Sequence, residues 1–243
     1  MAARVPPPVP YDPQLQPAVD ATVAEVRRRG HLSAGNLRER RGEGTEKTLA
    51  EWVDGRDVQF DDRTIPGPVG APDLTVSVLR PSDRTPTGGL YHIHGGGMVL
   101  GSRFEAFDRV IGWVLEFGVV AVLPDYRLAP EHPFPAGVED CYAGLEWMSG
   151  NAGELGFDPD RLVIMGGSAG GGLSAAVSLM ARDRGGPPLA GQLLLCPMID
   201  DRNDTVSSLQ YDDVGPWNRT SNFTGWTGLL GTARGGPDVH PYA

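Results

Sequence analysis

The sequence has few cysteines and no long apolar run. Its two cysteines, Cys141 and Cys196, lie far apart among core-type residues, so we expect buried thiols in a reducing compartment. No apolar run approaches the ~20 residues that a membrane-spanning helix needs. Residues 1–17 are rich in proline and contain no apolar stretch typical of a secretory signal. We therefore expect a cytoplasmic protein without a membrane span.

Basic residues are also scarce, which argues against two classes of partner and one class of site. Lys and Arg number 21 against 31 Asp and Glu, and the net charge of -10 disfavours nucleic acid or an anionic membrane as the main partner. No lysine follows Lys47, which excludes a phosphate-binding loop of the Gly-Lys-Ser/Thr type in the later chain. His92, His94 and His132 form no recognised ligand motif, so we expect no metal and no cofactor.

Short apolar runs alternate with helical patterns along most of the chain. Apolar residues at helical spacing predict a first helix over residues 14–29. Alternation over residues 57–60 and 73–80 predicts an antiparallel hairpin. Near-continuous apolar strands separated by helices then indicate a mostly parallel sheet covered by helices on both faces, an α/β fold. The other predicted strands are residues 90–93, 119–123, the run from Leu162, and 192–196, and the helices between them are 106–117, 135–148 and 173–181.

A glycine-rich turn with one central serine follows the strand that begins at Leu162. The segment Gly166–Gly170 places Ser168 between a strand and a helix, which is the pattern of a nucleophile elbow. Glycines are needed because the serine backbone is strained and its neighbours must let strand and helix approach. A dinucleotide fingerprint can be placed on Gly170, Gly172 and Ala175, but it would begin too deep in the helix.

A second glycine run, His94–Gly97, follows the predicted strand 90–93 directly. Acyl transfer from an ester passes through a tetrahedral oxyanion, which is stabilised by preorganised N–H donors. A glycine run can present backbone N–H groups without side chains in the way, although alone it is as readily a structural turn. Both loops follow strands, and they occur in the order found in α/β-hydrolases.

The chain resembles the hormone-sensitive-lipase-like branch of the α/β-hydrolase esterases in segments 92–97, 125–136 and 166–171. The resemblance implies that Ser168 is the nucleophile. The N–H groups of Gly96, Gly97 and Ala169 would form the oxyanion hole, and His94 would hold that loop rather than act as the base. Arg127, Glu131 and Asp140 would brace the loops, or form ordinary ion pairs.

The resemblance divides the chain into an N-terminal arm and cap helix (residues 1–50), a hydrolase core (51–200) and a second cap segment with its exit loop (201–243). In the family, the catalytic acid and histidine follow two further strands beyond that cap segment. Here the one histidine after Ser168 is His240, which we expect to be incidental. The aspartates that follow Ser168 in the cap and exit do not match the family's acid: Asp200, Asp201, Asp212, Asp213 and Asp238.

We therefore expect the last two strands of the core, with the triad Asp and His, to be missing from this chain. Strand 192–196 would then have a bare edge, favouring self-association or completion by another segment. The leading hypothesis is a hydrolase of short or medium acyl esters, acting on a small-molecule substrate through a Ser168 acyl-enzyme. A catalytically impaired hydrolase-fold protein that binds a ligand, and an acyltransferase, are the alternatives.

Overall fold

A computed structural model of the chain describes residues 5–42, 47–212, 215 and 217–243. Asp213, one of the aspartates considered above, lies outside the described residues. The described helices are α1 (Gln16–Arg29), α2 (Leu37–Gly42), α3 (Leu49–Val53), α4 (Phe107–Phe117), α5 (Ala136–Gly150), α6 (Ala152–Leu155), α7 (Ala169–Arg184), α8 (Val206–Gln210) and α9 (Arg219–Leu230), with 3-10 turns at Pro159–Arg161 and Gly231–Ala233.

Six strands form one sheet in the order β1-β2-β4-β3-β5-β6. The β1/β2 and β2/β4 pairs are antiparallel, and the β4/β3, β3/β5 and β5/β6 pairs are parallel. The predicted N-terminal hairpin and the mostly parallel remainder are therefore confirmed. The strands are β1 (Val58–Ile65), β2 (Leu74–Pro81), β3 (Gly89–Ile93), β4 (Val120–Pro124), β5 (Leu162–Gly167) and β6 (Gly191–Leu195).

Helices cover both faces of the sheet because alternate strand residues point to opposite sides. On one face, Tyr91 and Ile164 join the larger apolar cluster, which includes side chains of α5 and α7. On the other face, Leu90 and Met165 join a second cluster that contains the buried side of α4. A parallel sheet with apolar residues on both faces requires this arrangement.

The helix after the elbow begins earlier than the sequence pattern predicts. We expected residues 173–181, but α7 runs from Ala169 to Arg184 and takes in the glycine run. A Cβ atom at Gly170 would lie 2.0 Å from the Ile93 oxygen, and one at Gly172 would lie 2.2 Å from the Met198 oxygen. The glycines therefore allow this helix to approach the neighbouring backbone closely. This requirement outweighs their low helix propensity.

The strand predicted at residues 192–196 is present as β6 (Gly191–Leu195), but the expectation that it is buried is wrong. Leu193 is 48% exposed and Cys196 is also exposed, whereas Cys141 is buried as expected. Within the described chain β6 has only β5 as a neighbour. Leu193 and Met165 line an open apolar groove together with Trp113 and Phe117 of α4.

The N-terminal segment packs against the last part of the chain. Thr224 of α9 donates a hydrogen bond to the Leu32 oxygen at 2.9 Å, and the Asn218 amide lies 2.6 Å from the His31 ring nitrogen Nδ1. The side chain of Gln210 donates to the Pro7 oxygen at 3.0 Å. Among the described helices, none is both long enough and apolar enough to cross a bilayer.

Candidate active site

Ser168 is the single residue between β5 and α7, and its backbone is strained. Its φ of 56° and ψ of -121° lie in a region that non-glycine residues rarely adopt, at a cost of about 1–3 kcal/mol. Two backbone hydrogen bonds hold it there: the Ser168 N–H donates to the Leu195 oxygen at 2.9 Å, and the Ser168 oxygen accepts from the Met198 N–H at 2.9 Å. Leu195 is the last residue of β6 and Met198 lies in the segment that follows it, so the elbow depends on the edge strand and its continuation.

The side chain of Ser168 is half-buried, and its hydroxyl has no hydrogen-bond partner in the described part of the chain. Gly166 and Gly170 flank it, and a Cβ atom at Gly166 would lie 2.2 Å from the Gly170 oxygen. Only glycine therefore allows the turn to close. The result is an accessible hydroxyl on a rigid turn.

The glycine loop after β3 borders the elbow. A Cβ atom at Gly95 would lie 3.5 Å from the Ser168 Cβ atom, and the next two glycines have positive φ, 101° at Gly96 and 63° at Gly97. Over residues 5–42, 47–212, 215 and 217–243, the N–H groups of Gly96, Gly97 and Ala169 donate to no protein acceptor. Unpaired backbone N–H groups in a loop that borders a serine are the kind of donor that an oxyanion requires.

His94 is buried and engaged with the same loop. Its Nδ1 lies 2.8 Å from the Gly95 oxygen, and because a carbonyl only accepts, Nδ1 must carry the proton. The ring stacks on Tyr126 with a centroid separation of 4.2 Å. Burial lowers the pKa of His94 to about 4, so the imidazole is neutral near pH 7.

His92, on the strand just before the glycine loop, is buried without a full set of hydrogen bonds. Its ring is buried, but Nδ1 has no hydrogen-bond partner among the described residues. Burial, with smaller contributions from the neighbouring His94 and Arg109, lowers the pKa of His92 to about 4.

Tyr126 fixes the glycine loop, a role that the sequence did not reveal. Its hydroxyl donates to the His94 oxygen at 3.0 Å and also lies 3.3 Å from the Gly95 oxygen. The next residue, Arg127, forms a two-pronged bond to Asp140, with distances of 2.8 Å from Nε to Oδ2 and 2.7 Å from Nη2 to Oδ1. The segment after β4 is therefore anchored to α5 and to the loop beside Ser168.

Arg41 of α2 connects the N-terminal segment to both loops. Its Nε donates to the Val99 oxygen at 2.7 Å, and its Nη2 donates to the Ala129 oxygen. Its Nη1 lies 2.9 Å from a carboxylate oxygen of Glu131. Sequence patterns did not identify Arg41, because residues 33–54 have a weak pattern and its partners are far away in the chain.

A cavity of about 260 Å³ opens beside Ser168. Its walls include Met198 from the segment after β6, and Trp217 and Trp226 from the region around α9. The cavity places the serine hydroxyl in contact with a space enclosed partly by the predicted second cap segment.

No histidine or carboxylate in the described part of the chain is hydrogen-bonded to Ser168. His240 instead accepts from the Tyr242 N–H at 3.2 Å, and its ring packs on Phe134 with centroids 5.5 Å apart. Asp200 pairs with Arg202 at 2.7 Å. The described residues also contain no cluster of three or more His, Cys, Asp and Glu that could hold a metal ion.

Comparison with known proteins identifies the family of this fold. A family model described as the alpha/beta hydrolase fold matches residues 90–243, more than half of the chain. The chain belongs to the α/β-hydrolase fold family. The relatives described next also confirm the resemblance to the hormone-sensitive-lipase-like esterases.

Among curated α/β-hydrolase relatives, the chain is 43% identical over 145 residues to carboxylesterase NlhH of Mycobacterium tuberculosis, a match covering 58% of this chain and 44% of NlhH. It is 45% identical over 113 residues to an arylesterase of Saccharolobus solfataricus, covering 46% of this chain and 36% of that one. The chain thus spans less than half the length of the curated relatives it matches here.

Among solved α/β-hydrolase structures, a bacterial heroin esterase superposes with a TM-score of 0.82 at 34% identity, covering 93% of this chain and 74% of that one. An esterase from the hyperthermophilic archaeon Pyrobaculum calidifontis superposes with a TM-score of 0.81 at 29% identity, and the match covers 97% of this chain and 74% of that esterase. About a quarter of each neighbouring structure therefore has no counterpart in these 243 residues.

Proposed function

We propose that this protein is a carboxylic-ester hydrolase that acts on short or medium acyl esters through a Ser168 acyl-enzyme. The observation that carries the proposal is the strained Ser168, with an unpartnered hydroxyl beside unpaired N–H groups. The names of the carboxylesterase and esterase relatives support the same reaction class.

In the proposed reaction, the Ser168 oxygen attacks the ester carbonyl carbon while a general base takes the hydroxyl proton. The carbonyl oxygen becomes an oxyanion that accepts hydrogen bonds from the N–H groups of Gly96, Gly97 and Ala169. The C–O bond to the alcohol then breaks, the alcohol leaves with the proton, and an acyl-serine ester remains. Water repeats the attack on this ester and releases the carboxylic acid and Ser168.

The general base and its orienting carboxylate are proposed to come from residues outside positions 1–243. Support comes from the quarter of each neighbouring structure that this chain does not cover, and from the unpaired side of β6. A segment that adds strands beside β6 would cover Leu193 and bring its acid and histidine to the carboxyl ends of the strands. When that segment is absent, we propose that the same edge self-associates.

We also propose that residues 1–50 and 201–243 together form the cap over a core of residues 51–200. The contacts between the two ends of the chain support this division, namely Thr224 with Leu32, Asn218 with His31, and Gln210 with Pro7. A cap of this kind would shape the substrate cavity and exclude water.

A ligand-binding protein with an impaired active site is the second candidate. It is favoured by one observation: no described histidine reaches the Ser168 hydroxyl. Such a protein would bind short esters without releasing alcohol, whereas the proposed hydrolase turns them over once the base is supplied.

The test is turnover of p-nitrophenyl butanoate by the chain extended with the segment proposed to supply the base (the extended chain), beside its Ser168→Ala variant. Removing the nucleophile is expected to lower kcat by a factor of ~10³ to 10⁶. Ser178→Ala is the matched control, because Ser178 lies on the same helix and its hydroxyl bonds to the Ser174 oxygen. Equal activity in the Ser168→Ala variant would overturn the proposal, and binding without turnover would favour the second candidate.

A further inference from the structure

Trp217 stands between two cavities of similar size. One is the cavity of about 260 Å³ beside Ser168. The other, also of about 260 Å³, lies between α1 and α9; Val26, Leu32 and Leu100 form the apolar part of its walls, and Glu25, Arg29 and Arg40 form a charged part. Trp217 lines both cavities, so its indole is the side chain they share.

The indole packs directly on the glycine loop. A Cβ atom at Gly97 would lie 2.0 Å from a carbon of the six-membered ring, so any other residue at Gly97 would collide with it. Because the Gly97 N–H is a proposed oxyanion donor, this contact places the indole beside the carbonyl group of a bound ester. A wall at that point limits how far a substrate extends away from Ser168.

The ring is also held by contacts with α9 and the segment after β6. Its Nε1 donates to the Asn222 side-chain oxygen at 3.0 Å, and the Asn222 amide donates to the Asn203 side-chain oxygen at 3.0 Å. A Cβ atom at Gly225 of α9 would lie 3.2 Å from the ring. Packing on two glycines and a hydrogen bond to a restrained amide make the indole a fixed wall rather than a loose side chain.

We propose that Trp217 is the specificity-determining wall of the substrate site, restricting the acyl group to the cavity beside Ser168. The inference rests on the proposed function and extends it to the size of the acyl chain. Without the indole, the two cavities become continuous, and the space lined by Val26, Leu32 and Leu100 accepts a longer chain. The N-terminal helix α1 then becomes part of the substrate site.

The test compares kcat/KM for p-nitrophenyl acetate, butanoate and octanoate in the extended chain and in its Trp217→Ala variant. The ratio of octanoate to acetate is expected to rise at least about tenfold, since one methylene in an apolar pocket is worth ~10-fold or more. Trp217→Phe keeps most of the wall and is expected to stay closer to the wild-type ratio.

Phe223→Ala is the matched control, because this aromatic residue of α9 is 49% exposed and packs on Arg234 away from both cavities. The ratio of kcat/KM for octanoate to kcat/KM for acetate in this variant is expected to equal that of the wild type. A Trp217→Ala variant that folds and keeps the wild-type ratio would overturn the inference.

Binding of butanoate and octanoate, measured by titration calorimetry in the same proteins, needs no turnover. If the wild type hydrolyses none of the esters, the proposed function fails. The role of Trp217 is then tested by binding alone. In the Trp217→Ala variant, octanoate is expected to gain affinity about tenfold relative to butanoate. Equal gains in the Phe223→Ala control, or no gain at all, would contradict the role of Trp217.

Discussion

The centre of the sheet and its β6 edge differ in how completely their residues are buried. Strands β3 and β5 have neighbours on both sides, and Tyr91 and Ile164 are fully buried. Strand β6 has one neighbour in the described chain, and Leu193 is 48% exposed. The glycine loop and the elbow both follow central strands, so the proposed nucleophile and oxyanion donors stand on the best-packed part of the fold.

The two regions are nevertheless linked through Ser168. The elbow backbone bonds to Leu195, the last residue of β6, and to Met198 in the segment after it, so the edge helps to hold the strained serine. We propose that the centre of the sheet supplies the geometry of the site, and that completion of the β6 edge supplies its rigidity and the general base.

The largest expected difference between the centre and the edge is in the stability lost when one methyl group is added. Gly170→Ala would place a Cβ atom 2.0 Å from the Ile93 oxygen, whereas nothing lies within 4 Å of a Cβ atom at Gly191 in β6. We expect Gly170→Ala to lower the free energy of unfolding by about 3 kcal/mol or more, as overpacking against rigid backbone does. Gly191→Ala is expected to change it by less than about 1 kcal/mol.

Urea unfolding of both variants checks this prediction. Similar losses of stability at the two positions would show that the centre and the edge are packed alike, which would remove the basis of the comparison.

A second difference concerns pH, because burial lowers the pKa of His92 in central β3 from its ordinary value of 6.5 to about 4. The unfolded chain takes up this proton near pH 6.5 and the folded chain resists it until about pH 4. The free energy of unfolding therefore falls as pH falls through this window, by roughly 3 kcal/mol for this group. His92→Leu is expected to lose that part of the pH dependence in urea unfolding at pH 7 and pH 4.5. An unchanged pH dependence would contradict the burial argument.

A smaller effect is expected at the edge itself. Leu193→Lys places a charge in the open groove, and we expect self-association of the 243-residue chain to weaken about tenfold, as loss of one buried leucine side chain implies. Stability should change by less than about 0.5 kcal/mol. Val69→Lys is the matched control, since Val69 is fully exposed in the loop between β1 and β2. Sedimentation velocity measures the self-association of the two variants. Equal association of Leu193→Lys and Val69→Lys would argue against this face as the interface.

Local patterns in the sequence predict most of the sheet, because strand periodicity and turn residues act over a few positions. The start of α7 and the exposure of Cys196 were predicted wrongly, since the first depends on close backbone approach and the second on what lies beside β6. Arg41 and Tyr126 could not be predicted, because their partners are 30 to 90 residues away in the chain. Long-range contacts of this kind leave no local signal.

The most direct test of the central claim is covalent labelling of Ser168 by a p-nitrophenyl alkylphosphonate, read by intact mass and peptide mapping on the extended chain. The account predicts one adduct per chain, on the peptide that contains Ser168, and none in the Ser168→Ala variant. An adduct at another residue, or an adduct that persists in that variant, would contradict the claim that Ser168 is the nucleophile.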